Sequence, residues 1–179
     1  MHVTVLVGNP KAMSRTRAIG EGVAQLFAEA HQGKVRTVDL ADYAAQMFNW
    51  ADEELNEVAE QTRMSDLLVV ATPTYKGTYT GLLKSFFDRY AANGLSGTLA
   101  LPVMTGGSAA HSLAPTVGLA PLLLELGAIV LGRGLYFDMA DIERLDKVLD
   151  DWARANPDVI SLAGVRSHDE GPPGESTAR

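Results

Sequence analysis

The sequence DLLVVATPTYKGTYTGLLKSFFDRY, residues 66–90, joins a predicted buried strand to a predicted helix. Its first part, Leu67–Ala71, is apolar at every position, which is typical of a central parallel strand covered on both faces. Apolar side chains then recur with helical spacing between Leu82 and Tyr90. A strand that leads through a short polar loop into a helix is the repeating unit of α/β folds.

Four more strands are predicted from short apolar runs. They are Val3–Val7, Val35–Leu40, Thr98–Met104 and Ala128–Leu131. Pro102 weakens the third of these predictions, because a proline removes one donor from the hydrogen-bond ladder of a sheet.

Helices are predicted between the strands, from the periodicity of apolar residues. The pattern predicts one helix at about residues 14–31, one that begins after the capping residue Asp52, and one around Ile142–Trp152. Segment 109–126 is also predicted to be helical, with a kink or break at its two prolines.

This alternation of strands and helices predicts an α/β fold, a flavodoxin-like three-layer sandwich with a five-stranded parallel sheet of order 2-1-3-4-5. We expect the domain to span residues 1–163. Residues 164–179, GVRSHDEGPPGESTAR, are rich in Gly and Pro and predict a disordered tail. Ligands of such folds bind beyond the carboxyl ends of the strands, near the switch point between strands 1 and 3.

The composition of the 179 residues indicates a single soluble domain, with 46% hydrophobic and 21% charged residues. The net charge of -7 argues against nucleic-acid binding, which needs a basic surface. No run of apolar residues is long enough to span a membrane. The lack of cysteine excludes disulfides and thiol chemistry, and it is compatible with the cytoplasmic location that we expect.

The loop after strand 1, GNPKAMSRTR at residues 8–17, leads into a helix start, where free N–H groups favour a phosphate. Ser14 and Thr16 add hydroxyl groups, and Lys11, Arg15 and Arg17 add positive charge. Because the loop has neither G-x-G-x-x-G nor a P-loop, a cradle for one phosphate fits better than a dinucleotide or nucleoside triphosphate site. The alternative, equally weighted from this loop alone, is that Ser14 only caps the helix while the cations are solvated.

The loop after strand 3 combines a rigid proline, an aromatic ring and a flexible glycine. Pro73 fixes the backbone, Tyr75 can lie along a planar ligand, and Gly77 permits close approach of the backbone. The N–H groups of residues 75–77 can donate to a heterocycle. The alternative is that Tyr75 and Tyr79 cover the core or line a subunit contact.

The loop after strand 4, TGGSAAH at residues 105–111, has two glycines at a strand end and His111 one turn further on. Alone, His111 is more often a capping or packing residue than a ligand contact. Three loops suited to ligand binding at one edge of a sheet nevertheless predict a shared site for a flat, phosphorylated molecule.

With these motifs, the chain resembles the NADPH-dependent FMN reductase family of flavodoxin-like proteins, and within it the reductase components of two-component alkanesulfonate-type monooxygenases. The resemblance runs from Met1 to about Phe137. It is carried by GNPKAMSRT, ATPTYKGTYTGLLKSFFD, and TGGSAAH followed by LAPLLLELGA.

The resemblance implies a role in FMN binding for residues in all three loops. Ser14, Arg15 and Thr16 are expected to hold the phosphate. The residues expected to border the flavin ring are Pro73, Thr74, Tyr75, Lys76 and Gly77 on one side and Thr105, Gly106, Gly107 and His111 on the other. Asn9, where the family usually has Ser, is expected on the phosphate side.

The resemblance also implies NADPH as the hydride donor, a homodimer or homotetramer, and a flavin-dependent monooxygenase as a possible partner. Sulfonate-system reductases often carry a Tyr, associated with a helix insertion, tetramer packing and loose flavin binding, where this chain has Val117. FMN is therefore either a released substrate or a retained group here.

Hydride transfer asks for no acid–base pair, since the flavin supplies the chemistry, and we predict no catalytic side chain. The alternatives are an FMN-retaining reductase of quinones or metal ions, a non-enzymatic flavodoxin-type electron carrier, and a flavin-free interaction domain. The four histidines are scattered without ligand spacing, which argues against a metal site.

Overall fold

The computed structural model describes residues 1–165. Its strands are β1 (His2–Val7), β2 (Lys34–Asp39), β3 (Leu67–Pro73), β4 (Leu99–Gly106), β5 (Ile129–Val130) and β6 (Leu135–Asp138). Its α-helices are α1 (Arg15–His31), α2 (Glu53–Arg63), α3 (Gly81–Phe87), α4 (Ala120–Glu125), α5 (Leu145–Ala155) and α6 (Pro157–Val165). Within residues 1–165, no helix has both the length and the apolar character that a membrane span requires.

The sheet is parallel and has the predicted order β2-β1-β3-β4-β5. All seven residues of β3 are buried, as its unbroken apolar run predicted. Alternate strand residues feed two separate cores, with Val69 on the side of α1 and α5 and Val70 on the side of α2, α3 and α4. The molecule is therefore the predicted three-layer sandwich.

The fifth position of the sheet differs from the prediction, because two short strands share it. β5 pairs with Leu99 and Ala100, whereas β6 pairs with Val103–Gly106. Between them, residues 131–134 lie opposite only Leu101 and Pro102. The five predicted positions of the sheet and their order are thus confirmed, the short strand β6 is an addition at the fifth position, and the predicted strand Ala128–Leu131 is shortened to two residues.

Pro102 explains why the edge strand is interrupted. Ile129 N–H donates to Thr98 O at 2.9 Å and Leu131 N–H donates to Ala100 O at 2.8 Å, so alternate residues of β4 point their backbone groups at this edge. Pro102 is next in that series and has no N–H to offer. Opposite it, Gly134 has φ +75°, and a Cβ there would lie 2.4 Å from Pro102 O.

Helices α1 and α2 begin at the residues that the sequence predicted as their caps. The Oγ of Ser14 accepts the Arg17 N–H at 3.3 Å and starts α1, and Asp52 Oδ1 accepts the Leu55 N–H at 2.9 Å and starts α2. Within segment 109–126 the expected break is confirmed, since a 3₁₀ turn (Ala109–His111) and a π-helix (Pro115–Leu119) precede α4. Val117 lies in this π-helix, and its side chain is 68% exposed.

At the carboxyl end, α5 confirms the predicted last helix, and α6 follows it without having been predicted. A 2.7 Å hydrogen bond between His31 Nε2 and Ile160 O connects α6 to α1. Helix α6 runs to Val165, two residues past the predicted domain boundary. The remainder of the predicted tail, residues 166–179, lies outside the described residues.

Candidate functional site

A cavity of about 400 Å³ opens at the carboxyl ends of β1, β3 and β4. It is lined by ten of the thirteen predicted site residues: Asn9, Ser14, Arg15, Thr16, Pro73, Thr74, Tyr75, Thr105, Gly106 and Gly107. The three loops therefore meet at one edge of the sheet, at the switch point between β1 and β3.

A buried polar network joins the loop after β1 to the end of β4. Asn9 Nδ2 donates to Thr16 Oγ1 at 3.1 Å, and Thr16 Oγ1 shares a 3.0 Å hydrogen bond with Thr105 Oγ1. Asn9 Oδ1 accepts the Lys11 N–H at 2.9 Å. Asn9 thus shapes the loop with both ends of its amide.

The cations of this loop divide into two groups. Lys11 and Arg15 are exposed and line the cavity. Arg17 does not line it, because its Nε donates to Glu21 at 2.9 Å and its guanidinium lies 3.8 Å from Asp39. Ser14 caps α1 and also lines the cavity, so capping is not its only position in the structure.

Fewer residues of the loop after β3 line the cavity than the sequence predicted. Tyr75 N–H donates to Thr78 O at 2.9 Å and Thr78 N–H to Tyr75 O at 3.2 Å, which closes a tight turn. Lys76 (φ +53°) and Gly77 (φ +86°) form its tip, as in a type I′ turn, and neither lines the cavity. The glycine thus supplies the positive φ that this position of the turn requires.

Tyr75 does not cover the core, since it is 51% exposed and lines the cavity. Tyr79 fits the alternative, because it packs against the core on the α3 side of the sheet. Between strand and turn, Thr74 N–H donates to Thr105 O at 2.7 Å and binds the two loops together. The hydroxyl of Thr74 is buried and has no hydrogen-bond partner within the described residues.

In the loop after β4, Gly107 leaves open space, because a Cβ there would meet no atom of the described residues within 4 Å. Behind it, Tyr136 Oη donates to Ser108 O at 2.7 Å and ties the loop to β6. His111 is exposed in the 3₁₀ turn and does not line the cavity.

Sequence reasoning missed three residues as parts of the site. Met13 and Lys11 belong to the loop already identified, and Lys11 had been noted only for its charge. Met139 follows the carboxyl end of β6, and the same rule of strand ends finds it once β6 is known.

The residues that line the cavity fit FMN. At one end, Lys11, Arg15, Ser14 and the amino terminus of α1 form a donor set for a phosphate, and no acidic residue of the described chain lines the cavity. Toward the other end, Pro73, Tyr75 and Met139 offer apolar surface, and the open backbone at Gly107 suits a flat ring.

Known proteins provide an independent comparison. The FMN reductase (NADPH) of Escherichia coli strain K12 is 30% identical over 195 residues, which cover 92% of this chain and 98% of that protein. The NADH-dependent FMN reductase SfnE of Pseudomonas putida is 33% identical over 147 residues, which cover 79% of each chain. The solved apo form of an NADH:FMN oxidoreductase (EMOB) superposes with a TM-score of 0.74 at 28% identity, covering 93% of this chain and 97% of that one.

The family model described as NADPH-dependent FMN reductase matches residues 1–141, which include all three loops at the cavity. That match extends over most of the chain and agrees with the chemistry of the cavity lining. The chain therefore belongs to the NADPH-dependent FMN reductase family.

Proposed function

We propose that the protein binds FMN in the cavity at the carboxyl ends of β1, β3 and β4 and reduces it with NADPH or NADH. The observation that carries this proposal is the meeting of three strand-end loops in one cavity, with a cationic helix start at one end. As a member of its family, the protein is an oxidoreductase that uses FMN and a reduced nicotinamide.

The phosphate end is formed by the loop between β1 and α1. Ser14, Arg15 and Thr16 bring the first amides of α1, two hydroxyls and one guanidinium to this end of the cavity. Unpaired amides and the positive end of the helix dipole stabilise a phosphate there. Asn9 acts indirectly, since its amide already binds Thr16 and the Lys11 backbone.

The ring end is formed by the loops after β3 and β4. When bound, FMN supplies the nitrogen that accepts the hydride, so the protein needs no acid–base pair. Pro73 and Tyr75 border the ring on one side, and the backbone at Gly106 and Gly107 borders it on the other. Backbone N–H groups of the loop after β4 stabilise negative charge that develops on the ring during reduction.

The position of Thr74 suggests a test that separates ligand binding from folding. In Thr74→Val, the flavin-free protein should keep its stability, because the buried hydroxyl has no hydrogen-bond partner among residues 1–165 to lose. If the Thr74 hydroxyl forms a hydrogen bond with bound flavin, the FMN affinity of Thr74→Val should be about three- to tenfold lower than that of the wild type, as for the loss of one hydrogen bond. Thermal melts and a fluorescence titration measure the two quantities.

Thr72→Val is the matched control, because Thr72 Oγ1 accepts the Thr80 N–H at 3.3 Å and Thr72 does not line the cavity. This variant should lose stability instead. Unchanged FMN affinity in Thr74→Val would remove Thr74 from the ring contacts.

Reduced FMN is proposed to leave the protein for a flavin-dependent monooxygenase. The exposure of Tyr75 and Lys11 at the cavity supports release, and the relatives named as FMN reductases support FMN as the molecule that is reduced. A retained FMN that passes electrons to a small acceptor is the second candidate. We further propose a cytoplasmic location, because the reaction consumes reduced nicotinamide made inside the cell.

A homodimer or homotetramer is proposed as the working assembly. Three exposed apolar side chains, Leu113, Val117 and Leu124, lie in and beside the π-helix and α4 and support a contact between subunits.

The absorption spectrum of the purified protein and its NADPH and NADH consumption with and without added FMN test the proposal. We expect oxidation of the nicotinamide that depends on added FMN and saturates with it. A yellow protein that needs no added FMN favours the second candidate, and a protein that takes up FMN without oxidising either nicotinamide contradicts the proposed reductase. Light scattering on the same preparation tests the assembly, which a monomer would contradict.

A further inference from the structure

A buried carboxylate outside the cavity holds the loop that forms its phosphate end. Asp39 is the last residue of β2, and its side chain is 1% exposed. One oxygen, Oδ2, accepts the Met13 N–H at 3.2 Å, and the other accepts the Ala41 N–H at 3.3 Å. A buried charge is costly unless hydrogen bonds and a countercharge compensate it, so this arrangement requires a reason.

The backbone of Met13 explains what the carboxylate does. Met13 has φ +51°, in the left-handed region that a residue with a side chain seldom adopts. It directly precedes Ser14, the residue that caps α1, so the direction of the chain at Met13 determines where the helix start faces. Asp39 holds the loop at Met13 by accepting its N–H, and Asn9 holds the other end of the loop by accepting the Lys11 N–H.

Electrostatics alone would not place a carboxylate here. A negative charge beside a phosphate site opposes binding, and Arg17, 3.8 Å from Asp39 Oδ2, offsets it. Arg17 is also engaged by Glu21, whose carboxylate in turn accepts the Thr37 hydroxyl at 2.8 Å. The favourable contribution of Asp39 to the site must therefore come from where its oxygens hold the backbone, and not from its charge.

We propose that Asp39 is a positioning residue for the phosphate end of the cavity, acting through the Met13 amide. Its role is to keep the loop between β1 and α1 in the conformation that turns the amino terminus of α1 toward the cavity. This inference rests on the proposed binding of FMN.

The test compares two neutral variants, so that the change in charge is the same in both. Asp39→Asn keeps one side-chain oxygen, which can accept the Met13 N–H while the NH2 group takes the place of the acceptor of the Ala41 N–H. Asp39→Ala removes both acceptors, so the two variants share the loss at Ala41 and differ at Met13. Titration with FMN and with riboflavin, which lacks the phosphate, gives four dissociation constants. We expect FMN to bind about tenfold more weakly to Asp39→Ala than to Asp39→Asn, the equivalent of one hydrogen bond, while riboflavin binds both alike.

Glu21→Gln serves as the charge control, because it also neutralises a partner of Arg17 without touching the loop backbone. Its FMN affinity should not fall. Should Asp39→Ala fail to fold, Asp39→Val takes its place, since Val is of similar size, lacks an acceptor and suits a strand end.

Equal FMN affinities in the two neutral variants would overturn the inference, as would equal losses of FMN and riboflavin. The proposed function is tested separately, by the affinities of the wild-type protein for FMN and riboflavin. If wild-type protein binds FMN no better than riboflavin, the phosphate end itself is wrong, whatever the variants do.

Discussion

Arg15→Ala is expected to weaken FMN binding by at least about tenfold. Arg15 lies in the first turn of α1 and lines the cavity, where its guanidinium can pair with a phosphate. A hydrogen bond to a charged group contributes roughly 1.5–3 kcal/mol, which corresponds to a factor of roughly 10 to 150 in affinity. Because Arg15 is exposed, we expect a loss in the lower part of that range, measured by titration of intrinsic flavin fluorescence.

Riboflavin and a second arginine variant make this result specific. Riboflavin affinity should not change in Arg15→Ala, because the lost partner is the phosphate. Arg133→Ala removes another exposed arginine, one that does not line the cavity, and should leave FMN affinity unaltered. Near-normal FMN affinity in Arg15→Ala would count against the phosphate end at α1.

Gly107→Val should impair binding of the ring, and hence affect FMN and riboflavin alike. A Cβ at Gly107 meets no atom of residues 1–165 within 4 Å, so the new side chain projects into open space without disturbing the fold. If that space holds the ring, the overlap should cost about 1–3 kcal/mol. At the upper end of that cost, affinity falls on the order of a hundredfold.

The control is Gly81→Val, since Gly81 also has no atom within 4 Å of its Cβ position and does not line the cavity. Both variants should melt close to the wild type. Gly107→Ala should show a smaller loss of affinity than Gly107→Val. Unchanged titration of Gly107→Val would show that the loop after β4 does not border the ring.

Much of the fold could be predicted, because short segments of the sequence show by their apolar residues which strands are buried and where helices begin. The apolar run in β3 reports burial on both faces, and the caps Ser14 and Asp52 report helix starts. The divided edge strand could not be predicted, because it depends on which neighbour Pro102 faces. That direction is a property of the assembled sheet.

The candidate site shows the same division. The rule that ligands bind at strand ends found the three loops, but it could not tell a residue that faces the cavity from one that turns away. Lys76, Gly77 and His111 are neighbours of cavity residues in sequence and lie outside the lining. The proposed role of Asp39 could not be predicted, because it depends on a hydrogen bond across 26 positions of the chain.

The interrupted strand opposite Pro102 also has a consequence for how the protein behaves at high concentration. An uninterrupted outer strand is a template on which another chain can add by hydrogen bonding, and such addition begins aggregation. On this side, the two short pieces β5 and β6 and the residues between them offer no long straight row of amides. On the opposite side of the sheet, the outer strand β2 carries the exposed cations Lys34 and Arg36. Charge repulsion protects that edge against the addition of another chain, as the interrupted strand protects the edge at β5 and β6.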